Sequence, residues 1–207
     1  MKLKKGVKRT LILILIILIV GVAIFLYLKF FNVKKVKKVK ILSEISEYGY
    51  KLKDSKSEVY QQEYKNLEKI LSSKNVDYEK YVESISKLFV IDFYSLDDKL
   101  AKTDVGGVEF VHSGEVEDFL EKAQDTMYKY VESNLYGNRT QALPSVASVT
   151  VNKIDTVTYT FNGQSDDKAF AVSLSWKYTN ANGDGYQDKA TITLVHEDKK
   201  LSIVELK

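Results

Sequence analysis

Thr10 to Leu28, TLILILIILIVGVAIFLYL, is a run of 19 residues without a charge, and 15 of them are Leu, Ile, Val or Phe. As a helix rising ~1.5 Å per residue it would cover roughly 28 Å, close to the hydrocarbon thickness of a bilayer. A cleaved signal peptide would have a shorter apolar stretch of about 7–15 residues, followed by small residues. Here the run passes straight into Tyr27, Lys29, Phe30 and Phe31. Bulky aromatics suit a membrane–water interface and make a poor cleavage site. The run therefore reads as an uncleaved transmembrane anchor over residues 10–31. A basic tail at 1–9 precedes it and a basic juxtamembrane stalk at 32–40 follows it.

Charge separates this end from the rest. Residues 1–40 carry 11 of the 31 Lys/Arg and none of the 28 Asp/Glu, which leaves 20 basic and 28 acidic residues beyond, a net of −8. An acidic body argues against nucleic acid as a partner, because that role needs a basic face. The lysines of KFFNVKKVKKVK, residues 29–40, would instead meet anionic lipid headgroups, at about 1 kcal/mol each near the surface. Basic residues are almost balanced across the run, so the positive-inside count alone does not orient it. A short basic tail followed at once by the apolar run is the layout of a signal anchor. The expectation is a single-pass protein of the cell membrane, with its N-terminus cytoplasmic and its C-terminal domain extracytoplasmic. Zero cysteines exclude disulfides and thiol chemistry.

Residues 41–207 suit one domain, with helical signals first and strand signals second. Ser55 and Glu58 are spaced as a capping box ahead of a stripe of Tyr60, Tyr64, Leu67 and Leu71. Asp77 is a good N-cap for a second helix reaching Leu96. VEFVH, residues 108–112, reads as a short strand. A third helix is expected from Ser113 to about Val131, with Gly137 closing it. After Pro144 the period changes from 3.6 to 2: Val157, Tyr159 and Phe161, then Phe170 to Tyr178, Ile192 and Leu194, and Leu201 and Ile203 alternate with polar residues. Val149–Phe161 makes one strand only with a bulge or bend near Asn152–Asp155. The fold class read from this order is α+β: a transmembrane helix, then about three helices on a curved antiparallel sheet of about four strands.

By element order, residues 41–207 resemble the NTF2-like (cystatin-like) superfold. Behind an anchor they are similar in outline to the extracytoplasmic assembly domains of VirB8-type secretion proteins. The resemblance implies a sheet curled around a cone that is either a ligand pocket or a packed core. It carries no functional residues over, and such a fold does not select a function.

Among single residues, Asp92 in LFVIDFYSL is the most informative. At about 100° per residue it falls inside the apolar arc of the second helix. A buried carboxylate must be paired, hydrogen-bonded or protonated. It reads either as a structural acceptor, which an Asn would replace with little loss, or as a general acid or base in the cone. His196 could join it, and Trp176 reads as core or as a wall of the cone; His112 reads as local structure. The segment from Asn180 to Asp188 mimics a calcium loop, with Asn182, Asp184 and Gly185 near the right spacing. Thr191 stands where the bidentate Glu would be, so a tight turn is the better reading. No cofactor or metal is expected. The leading functional expectation is a non-enzymatic binding or assembly role at the bacterial cell envelope, with an envelope protein as partner. The alternative is a small-molecule binder or acid–base enzyme using Asp92.

Overall fold

The computed structural model describes residues 5–31, 40–179 and 185–207, with side chains in the first stretch described only over 13–27. The chain divides into two units, Met1–Lys37 and Lys38–Lys207. In the first, α1 runs Lys5–Phe31. Its described side chains are almost all large and apolar, and they are exposed. Among the described residues, no helix is long and apolar enough to cross a membrane. The expectation of a transmembrane anchor over 10–31 is therefore corrected. The single-pass, signal-anchor topology, the membrane localisation and the extracytoplasmic placement of the body fall with it. Residues 32–39 of the expected stalk lie outside the described residues.

Over its described residues the second unit is α+β, with three α-helices and two antiparallel sheets. It opens with a hairpin absent from the sequence reading, β1 (Ile41–Ile45) paired with β2 (Tyr50–Lys53). Helix α2 (Glu58–Leu71) starts at Ser57, whose hydroxyl accepts from the Tyr60 N–H, rather than at Ser55. Asp77 caps α3 (Tyr78–Tyr94) by accepting from the Lys80 N–H. Two short 3-10 turns follow, Val108–Phe110 and Ser113–Glu115, and then α4 (Val116–Asp125). The expected strand at VEFVH is thus a 3-10 turn plus one bridge, Val111 to Ile203. Helix α4 is also shorter than its stripe suggested, because the chain leaves helical geometry at Thr126.

The larger sheet is a meander in the order β3-β4-β5-β6: Val146–Phe161, Gln164–Tyr178, Lys189–Glu197 and Lys200–Leu206. Register shifts in β3 between Val151 and Lys153 absorb the polar break at Asn152 within one continuous strand. Asn162 and Gly163 close the β3–β4 hairpin with φ of 49° and 79°, the two positive angles that a type I′ turn requires.

The core sits between the sheet and α3, which is enclosed on most sides. Val82, Ile85, Leu88, Phe89 and Val90 are fully buried, and Val172, Leu174, Ile192 and Leu194 face them from the sheet side of the same cluster. The core holds six fully buried tyrosines, and their hydroxyls find partners. Tyr50 and Tyr81 bond each other at 2.8 Å, and Tyr64 donates to the Tyr50 carbonyl at 2.7 Å. Tyr128 donates to the Phe93 carbonyl at 2.7 Å. A buried phenol adds apolar area without a desolvation loss only when its oxygen is bonded in this way. Burial pushes the Tyr81 phenol up to about 12, so it stays protonated at any ordinary pH.

Leu67, fully buried on α2, tests the α2–α3 layer. Leu67→Ala should cost about 2–5 kcal/mol, read as a lower urea midpoint with an unchanged slope.

Candidate functional site

Enclosing the middle of α3 obliges its buried charge to find partners inside the protein. Asp92 is 5% exposed, and three groups converge on its carboxylate. Lys56, just ahead of α2, reaches Oδ1 at 2.5 Å, and Lys99 reaches the same oxygen at 3.0 Å. The Gly107 N–H donates to Oδ2 at 2.8 Å. Lys99 is itself buried and also bonds Asp98. Burial alone would raise the Asp92 carboxyl, but the Lys99 and Lys56 ammoniums and the Gly107 amide outweigh it and hold Asp92 well below the usual carboxylate range. Burial alone would also lower Lys99, yet Asp92 and Asp98 push it up. Both groups are thus kept charged.

The loop carrying Lys99 is fastened from two further sides. Arg139 donates to the carbonyls of Lys99 at 2.8 Å and Asp97 at 2.6 Å. The Tyr128 hydroxyl accepts from the Gly106 N–H at 3.0 Å. Gly106 is required by close approach: a Cβ there would sit 2.2 Å from the Asp92 carbonyl oxygen. Gly107 has φ of +76°, and a Cβ there would meet the Phe89 ring at 2.7 Å. Beside this cluster Glu109 accepts from the Tyr60 hydroxyl at 2.9 Å, and burial nevertheless raises its carboxyl above the usual range.

The three residues singled out from sequence are not brought together. Asp92 lies in the ion cluster, closed off by Lys56, Lys99 and the Gly107 amide. Trp176 is 4% exposed and packs its ring 4.3 Å from that of Tyr94. His196 sits near the end of β5, its Nδ1 2.8 Å from Asp166 Oδ2. The chemistry available to Asp92 is charge neutralisation: an ionised carboxylate shared by two ammoniums is a weak base. Of the calcium-loop residues, 180–184 lie outside the described residues. Among the described residues no group of three His, Cys, Asp or Glu could hold a metal.

A cleft of about 370 Å³ with an aromatic and aliphatic lining lies instead between α3, α4 and β6. Its floor includes Phe89, Phe93 and Tyr94, one wall presents Phe119, Ala123 and Met127, and β6 contributes Ile203 to Leu206. Phe119 and Met127 fall within the third helix expected from sequence, where a core position and a cleft wall look alike. Lys99 was missed altogether, since a lysine in an Asp-Asp-Lys turn gives no local sign of burial.

No protein-family model matches the chain, and no curated protein and no solved structure is similar enough to it to count as a match.

Two outcomes follow for Asp92. Asp92→Asn removes the carboxylate shared by buried Lys99 and partly buried Lys56, so it should cost about 3–5 kcal/mol in urea unfolding, not the small loss expected of a simple acceptor. Because the folded carboxyl is depressed, its contribution is complete above the unfolded value of about 3.9. That contribution is lost as pH falls toward the depressed folded value. Unfolding free energy measured against pH should therefore drop below about pH 4 in the native chain, and Asp92→Asn should flatten that drop.

Proposed function

We propose that residues 41–207, NTF2-like in element order, form a non-enzymatic binding module that takes an apolar group of a partner protein into the α3–α4–β6 cleft. The observation that carries this reading is the cleft itself, about 370 Å³ with an aromatic and aliphatic floor. That volume is within the usual range for binding clefts. Aromatic and methionine side chains such as Phe93, Phe119 and Met127 adapt to an inserted apolar anchor and release water on binding. Glu115, Lys122 and Glu205 add polar groups to the lining, an arrangement of apolar centre and polar edge common in interfaces between proteins.

The acid–base alternative draws no support from the geometry around Asp92. The carboxylate is enclosed by Lys56, Lys99 and Gly107 and does not line the cleft. Trp176 and Leu174 are buried within the packed core.

Anilinonaphthalene sulfonate serves as an apolar probe of the cleft. It should bind the folded chain saturably, and Lys122→Trp, an exposed position that fills the cleft from α4, should weaken it at least tenfold without lowering the melting temperature. Binding indifferent to Lys122→Trp, or no binding by the native chain, would overturn the reading.

A further inference from the structure

The chain has two histidines, 84 positions apart, and both line one cavity of about 270 Å³ at the end of the β3–β4 hairpin. It shares no wall residue with the α3–α4–β6 cleft. The rings are held in place by neighbours. His112 stands edge-on to Phe161, with centroids 4.6 Å apart, and His196 lies between Tyr78 and Phe170 at 5.7 and 6.1 Å.

Each ring is fixed in one tautomer by a partner within the protein, and the two tautomers are opposite. Burial opposes ionisation of Asp166, but the His196 amide and ring and the Lys168 amide hold its carboxyl below the usual range. It therefore accepts from the Nδ1–H of His196 at 2.8 Å. The same oxygen takes the His196 backbone N–H at 2.8 Å, and the other takes the Lys168 N–H at 2.9 Å. Asp166 is thus occupied, and Nε2 of His196 is left as an acceptor. In His112 the Nδ1 accepts from the Gly114 N–H at 3.0 Å, so the proton is on Nε2, a donor. The nearest carboxylate to that donor, Glu197, is 3.8 Å away and already accepts from Ser113 Oγ at 2.5 Å.

This pairing discriminates among ligands. A metal ion on His112 Nε2 would displace the ring's one proton while Nδ1 still faces an N–H, which disfavours coordination. An anion would meet Asp166 and Asp167, and an apolar group would strand the polar walls. Hydroxyl groups suit both imidazoles, because each donates and accepts. Gln164 and Ser165 offer further bonds of both kinds, and Tyr159 and Phe161 offer apolar ring faces. We propose that this cavity binds a neutral polyhydroxylated ligand, one sugar ring of a glycan, with one hydroxyl donating to His196 Nε2 and another accepting from His112 Nε2–H.

The full chain, labelled with ¹⁵N at histidine, reports each ring nitrogen by NMR. Methyl glycosides of hexoses and N-acetylhexosamines are the probes, with propylammonium and zinc as controls. At least one glycoside should shift both Nε2 signals saturably, and His196→Ala should weaken it at least tenfold. If His196→Ala fails to fold, Gln164→Ala and Asp167→Ala, both exposed, should each weaken the same glycoside. Glycosides that move neither nitrogen, saturable binding of a control instead, binding indifferent to these variants, or a free spectrum showing the same tautomer at both rings would each overturn the proposal.

Discussion

The closure of α3 by its neighbours is the constraint on which the body of this protein turns. The stretch of α3 packed against α2, the sheet and the loop after it cannot turn a side chain to water, and a charge placed there must be answered from within. The neutral Ser86 hydroxyl, buried on the same helix, has no partner among the described residues. Asp92 is answered by two lysines and a glycine amide. Those contacts tie the approach to α2, the middle of the unit and the Leu96–Gly107 loop into one arrangement. Taking charges out of water is costly, and the attraction between them offsets that cost only with good geometry and filled hydrogen bonds. Gly106 and Gly107 supply that geometry by letting the backbone come close enough to reach the carboxylate.

The tyrosines apply the same rule to neutral groups. Tyr50, Tyr64 and Tyr81 join the β1–β2 hairpin to α2 and α3 through bonded hydroxyls, so a short hairpin that could not stand alone is held by directional contacts as well as area. The core is therefore mixed. Its aliphatic part packs the sheet against α3, and its phenolic part ties the β1–β2 hairpin to α2 and α3. What is left open, the cleft beside α4, is where aromatic side chains have no facing layer.

Much of this order was written in local patterns. The change of period after Pro144 located the meander, Asp77 marked the start of α3, and the apolar arc placed Asp92 inside before any partner was known. What the chain conceals is non-local. Lys56 lies 36 positions from Asp92, and nothing near either residue announces the pair. The β1–β2 hairpin escaped notice because ILSEI and YKLK are too short for alternation to stand out beside a lysine run. The apolar run at the N-terminus implied a membrane span, whereas among the described residues no helix is long and apolar enough to cross one. His112 and His196 likewise acquire meaning only when β5 and the segment before α4 come together.

Trp176 is the single tryptophan of the chain, and its indole lies 4.3 Å from the Tyr94 ring at the heart of the core. Light absorbed by the surrounding phenols can pass to one emitter, whose colour depends on how dry that spot is. The fold thus carries an internal lamp, and any loosening between the third helix and the meander will register as a red shift before the secondary structure is lost.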